Sequence, residues 1–214
     1  MAASKFPKAR RLKTWGIFVA LVVLVCGGLA LWKFWPSTEP SVAIPGRVCK
    51  GKLPGPIIAD LLPKKGAAFK ESVGADFETP ERGTIPECRL YAGGQGVSIR
   101  YNHLGDSGLG IAKEWRAKNE QTANQSGFSP IRLGKASGYA GPQGAGLIID
   151  CPGPTDKAAI LLVDVEYLRS PNGGNADTRA KFATLAAEVS RVTAQDIVKC
   201  AGAEDLPDGS PRVG

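Results

Sequence analysis

The run 15–32 constrains this chain more than any other stretch: eighteen residues, dominated by Val and Leu, without a charge. As a helix it is about 27 Å long. That approaches the roughly 30 Å hydrocarbon thickness of a bilayer. Trp15 marks one end, and Trp32, Phe34 and Trp35 mark the other, as amphipathic rings do at both membrane interfaces. Lys33 can snorkel outward. Lys5, Lys8, Arg10, Arg11 and Lys13 precede the run with no acid among them. Positive flanks stay cytoplasmic. The expectation is a basic cytoplasmic tail over 1–14, a single-pass transmembrane helix over 15–35 in the cell membrane, and an extracytoplasmic remainder. The rival is a cleaved signal peptide, because Gly28-Leu29-Ala30 has the small-x-small form that a signal peptidase accepts. Against it, apolar and aromatic residues continue past Ala30. A lipid site at Cys26 would need a small residue where Val25 stands.

The formal charge of +7 suggests a nucleic-acid binder until the charges are located. Six of the 27 Lys and Arg residues, and none of the 20 acids, lie in residues 1–35, so the rest of the chain holds 21 bases against 20 acids. The basic balance belongs to the topology signal and leaves no electrostatic footprint for nucleic acid. Residues 36–48, with Pro36, Pro40 and Pro45, read as an extended stalk. Residues 49–200 are enough for one domain with its own core. Residues 201–214 offer little to bury and read as a disordered tail.

Cys26 lies in the apolar run; Cys49, Cys88, Cys151 and Cys200 all lie beyond it. On the outer side disulfides persist, and four cysteines allow three connectivities. The pairs expected are Cys49–Cys200, tying the domain's start to its end, and Cys88–Cys151, joining two strands. With no C-x-x-C pair and a single His, no metal site or other cofactor is expected.

Residues 57–62 predict a short helix stopped by Pro63, and 64–86 a loop. Residues 88–92 and 97–101 alternate with period two and predict a hairpin turning at glycine-rich 93–96. A helix follows over 111–124, its apolar stripe thinning after Trp115. Short strands are expected at 131–133, around Tyr139 and at 146–151. The clearest strand is 158–168, with Leu161, Val163, Val165 and Tyr167 on one face and Asp164 and Glu166 on the other. Asp177 caps a last helix that carries Phe182, Leu185, Val189, Val192 and Ile197 toward Cys200. The fold class is α+β: an antiparallel sheet flanked by helices and stapled by disulfides.

Cys88-Arg-Leu-Tyr-Ala92 opening a hairpin, Leu147-Ile-Ile-Asp-Cys151 before another strand, and a final helix closing on Cys200 resemble exported, membrane-tethered actinobacterial domains of unknown function with a PsbP-like fold, including the LpqN-like lipoproteins. The resemblance covers roughly residues 49–200. It implies an antiparallel sheet flanked by helices, in a family mostly without assigned activity. This chain carries an anchor where the lipoproteins carry a lipid site.

Gly105-Asp-Ser-Gly108 copies the surroundings of a trypsin-like nucleophile, with His103 close by. A Ser-His-Asp site needs the base at the hydroxyl and a third group orienting it. His103 and Ser107 share one turn, and Leu109 breaks both the trypsin-like and the G-x-S-x-G patterns. A Gly-Asp-Ser-Gly turn has a plain local explanation. Asp164 and Glu166 form a carboxylate pair of glycosidase type, although a solvated sheet face is far commoner. Trp115 and Tyr139 suit either a binding site or the core. The reading favoured is a non-catalytic binding or interaction module held outside the membrane. Its contact surface is expected on the glycine loops 93–96, 134–146 and 172–174, with Tyr139 the first residue to test. Its partner is an envelope protein or a small ligand. The alternatives are a cell-envelope hydrolase using Ser107 and His103, and a lipid or small-ligand carrier with a pocket between sheet and helix.

Overall fold

The structure, a computed structural model, describes residues 39–74, 76–80, 84–105, 109–153, 158–169 and 176–214. The basic tail, the apolar run, Ser107 and the glycines at 173–174 lie outside the described residues. Among the described residues no helix is long and apolar enough to cross a membrane.

Two short strands, β1 (Arg47–Val48) and β2 (Leu53–Pro54), pair with each other and lead into helix α1 (Gly55–Ala59). Among the described residues eight strands form the main sheet. They are β3 (Lys70–Val73), β4 (Glu87–Ala92), β5 (Gln95–Leu104), β6 (Ser129–Leu133), β7 (Ala136–Ala140), β8 (Gly144–Asp150), β9 (Ile160–Tyr167) and β10 (Arg212–Val213). Their order is β10-β6-β7-β8-β9-β5-β4-β3, with every pair antiparallel. Helix α2 (Leu109–Ala123) connects β5 to β6, and α3 (Ala176–Val192) follows β9. The α+β class and the antiparallel sheet expected from the pattern are present.

Period-two alternation sets the core face. Leu161, Val163 and Val165 of β9 are buried with Val97, Ile99 and Tyr101 of β5 and Ala145, Leu147 and Ile149 of β8. Helix α3 covers this face with Phe182, Leu185, Ala186 and Val189, all fully buried. Burying each Phe, Leu or Val side chain contributes roughly 1.5–3 kcal/mol. Phe182 meets the edge of Tyr167 at 4.7 Å between ring centroids, and the Tyr167 hydroxyl donates to the Leu61 carbonyl.

The hairpin turns on two residues, tighter than the four expected. Gly93 (φ 57°) and Gly94 (φ 84°) both take positive φ, as a type I′ turn demands, and Gln95 and Gly96 already belong to β5.

Four expectations are corrected. The disulfides are Cys49–Cys88 and Cys151–Cys200, with Cα separations of 5.7 and 4.6 Å, replacing Cys49–Cys200 and Cys88–Cys151. Cys88 lies on β4 and Cys151 directly follows β8, and these strands stand three places apart in the sheet. At about 4.8 Å per strand the gap is roughly 14 Å, beyond the reach of a disulfide. The presumed loop 64–86 contains β3, an edge strand without an apolar face, which is why no period-two signal marks it. The presumed stalk is pinned from Pro40: its carbonyl accepts from Gly66, Val42 donates to Lys64, and Val42 and Ile44 pack on the core.

The presumed disordered tail is the fourth. It forms a 3-10 turn (Ala203–Asp205) and then β10 on the edge of β6. The Arg191 guanidinium donates to the carbonyls of Pro207 and Gly209. Backbone pairing and carbonyl contacts need no apolar composition, so composition could not announce them.

Candidate binding cleft

The sheet face opposite α3 is built differently. Its register aligns one residue from each of six strands: Pro130, Tyr139, Gly146, Asp164, Arg100 and Glu87, running from β6 to β4. Arg100 Nη2 donates to Asp164 Oδ2 at 2.6 Å and to Glu166 Oε1 at 2.5 Å. The Tyr139 hydroxyl reaches the other Asp164 oxygen at 3.3 Å. Glu87 accepts from Ser98 Oγ at 2.6 Å and pairs with Arg89 at 2.6 Å.

These contacts set the ionisation behaviour. Against the penalty of burial, hydrogen bonds from Arg89 and Ser98 hold the Glu87 carboxyl below its ordinary value. Burial pushes Glu166 up in spite of Arg100, and Asp164 adds to the rise. Burial also pushes the Tyr139 phenol far up, and the Asp164 charge reinforces it. Tyr139 is therefore a neutral hydrogen-bond donor throughout the physiological range.

Tyr139 lies over Gly146. A Cβ on that glycine would stand 2.9 Å from Tyr139 Cε1, so the row needs a residue without a side chain there. Phe128 supports the same ring edge-on, 5.8 Å between centroids.

Helix α2 crosses above this face. Among its described side chains the buried ones are small: Ala112, which packs with Ile148 and Ile160, and Ala123 near the other end. Arg116 pairs with Asp150 beyond the end of the apolar cluster. Between the two alanines the helix presents Trp115, Lys118, Asn119 and Thr122 to the space above the sheet. Spacings of three and four residues put these side chains on one stripe. A helix resting on a sheet normally fills that stripe with Leu or Ile. Over residues 115–122 it does not, and a cleft of about 380 Å³ remains. Its floor is Gly146, Leu162, Asn102, Asp164 and Arg100, and Tyr139 forms one wall. At its rim Ile85 and Trp115 are 59% and 38% exposed. The Lys118 ammonium stands 4.8 Å from the centroid of the Trp115 ring.

The cleft brings together Trp115, Tyr139 and Asp164, and Glu166 joins through Arg100. It does not bring in His103. That residue pairs with Leu161 and shares the core face with Tyr101, so sheet and backbone separate it from Asp164 and Glu166. Its Nε2 is buried and has no hydrogen-bond partner among the described residues. The two carboxylates share a face, as the alternation requires. That face is half-buried, and both are engaged by Arg100. The strand expected around Tyr139 is β7, and the contact loop expected over 134–146 is therefore mostly strand. Arg100, Asn102, Asn119 and Thr122 were missed. The available signal was the polar stripe of α2 at the very positions that should face the sheet. Among the described residues no three His, Cys, Asp or Glu side chains converge as metal ligands. Compared with protein-family models, curated proteins and solved structures, the chain matches none.

Proposed function

We propose that this chain is a binding module that takes a small ligand in the cleft between α2 and the sheet. It is tethered by the apolar run 15–32, and its folded part lies outside the membrane. The observation that carries the reading is the polar stripe on α2 facing Tyr139, Asp164 and Arg100 across an open 380 Å³ space. Ligand sites of a few hundred Å³ combine apolar walls with a few fixed polar groups, and the cleft has both. The tether rests on the five-base flank before the run. Kinship with PsbP-like domains is proposed on the hairpin opened by Cys88 and the helix closing on Cys200.

Native mass spectrometry of the full chain, after incubation with a small-molecule extract of its own envelope, tests the site. One bound molecule is expected. Thr122→Phe places a ring in the mouth of the cleft and should cut occupancy at least tenfold, with the unfolding midpoint unchanged. An absent adduct, or equal occupancy in the variant, sinks the proposal.

A further inference from the structure

We infer that the ligand is a neutral saccharide whose sugar ring stacks on Trp115 and whose hydroxyls reach Asn102, Asn119 and Asp164. This deepens the binding-module reading and rests on it. Every other ligand class meets an obstacle in the cleft.

A cationic ligand would seek the Trp115 ring or the carboxylates. Lys118 already stands over the ring, and Arg100 already bridges Asp164 and Glu166. The chain's own cations thus serve the carboxylates and one face of the ring, while Trp115 stays part-exposed to an uncharged group. An anion would meet the Asp164 carboxylate in the floor, while the nearest guanidinium is held by two carboxylates. An alkyl chain would fit Ile85 and Leu162 but would strip water from Asn102, Asn119, Thr122 and Asp164 without replacing their hydrogen bonds. What remains is a neutral molecule with an apolar face and a rim of groups that both donate and accept. A sugar ring has this form. Its C–H face packs on an aromatic ring with a large contact area. Its hydroxyls match asparagine amides, which donate and accept together, and a carboxylate that accepts.

The arrangement supports the fit. Trp115 is part-exposed at the rim, so apolar surface remains there for a ligand to cover. Asp164 is oriented at both oxygens, by Arg100 and by Tyr139, so it is held in place before a ligand arrives. Gly146 keeps the floor low beside it.

The test is titration calorimetry on the full chain, held in a detergent without a sugar head group. The probes are neutral disaccharides: β-1,4-linked glucose, β-1,4-linked N-acetylglucosamine, α-linked glucose and α-linked mannose. At least one should bind saturably. Trp115→Ala and Asn119→Ala should each weaken it, the former by roughly tenfold, while Trp115→Phe should retain most of the affinity. Binding untouched by these variants and by Thr122→Phe places the sugar elsewhere and overturns the inference. If no sugar binds but an envelope molecule still occupies the cleft in a Thr122→Phe-sensitive way, the saccharide assignment falls and the binding module stands. Saturable uptake of phosphatidylglycerol from vesicles into the cleft also overturns the saccharide. If neither a sugar nor any envelope molecule binds, both readings fall.

Discussion

Gly146 shows how much one missing side chain decides. It lies between Tyr139 and Asp164 in the cross-strand row, and the tyrosine ring occupies the volume that a Cβ would take. We expect Gly146→Ala to push that ring toward Phe128, disturb the hydrogen bond to Asp164 and cost roughly 1–3 kcal/mol, as overpacking does. Denaturant titration measures this; an unchanged midpoint would show that the ring moves aside freely. Tyr139 and the Asp164–Glu166 pair were legible from the sequence, one as an aromatic among glycines, the other by alternation. Their partners were not. Arg100 meets Asp164 across 64 residues of sequence, and no local spacing reports a pairing of that range. For the same reason Gly146 read only as the first residue of a strand.

At the scale of elements, the hairpin, the β9 strand, α2 and α3 were readable, because period is a local property; α1 lies at Gly55–Ala59 where 57–62 was expected, and Asp177, expected as a cap, stands inside α3 and pairs with Lys181. Helix α2 was read correctly as thinly apolar, but the thinness looked like an exposed edge when it marks the roof of a cleft. Composition cannot say which way a polar stripe faces. The disulfide pairing failed at this scale too, since it depends on which strands are neighbours. Cys151–Cys200 joins the end of β8 to the segment after α3. There the helix widens into a π turn (Thr193–Ile197), and Lys199 takes a left-handed φ of 59°. This bridge closes a loop of 49 residues, worth about 4 kcal/mol in the chain-entropy model. Replacing Cys151 and Cys200 by Ser should lower stability by up to that amount and speed hydrogen exchange around residues 193–205. Non-reducing peptide mapping that yields a fragment linking Cys49 to Cys200 would refute the pairing.

For the whole molecule, the proposed topology predicts that protease added to intact cells removes the folded part and leaves residues 1–14 protected; protection of the folded part would reverse the orientation. The fold class was legible as a set of elements, yet their arrangement was not. The sheet order places two meanders side by side: β3-β4-β5, and β6-β7-β8-β9 with β10 on its edge. Each pairs strands close in sequence, apart from β10. Only β5 with β9 joins one meander to the other. Loop-closure entropy must be overcome before such a distant pairing is rewarded, so a step of this kind is slow compared with local hairpin formation. Tyr139, Gly146 and Asp164 arrive on one meander and Arg100 on the other, with α2 as the link between them. A chain that has formed both meanders without joining them holds Arg100 apart from Tyr139, Gly146 and Asp164, so the cleft is a property of the completed sheet and of neither half alone.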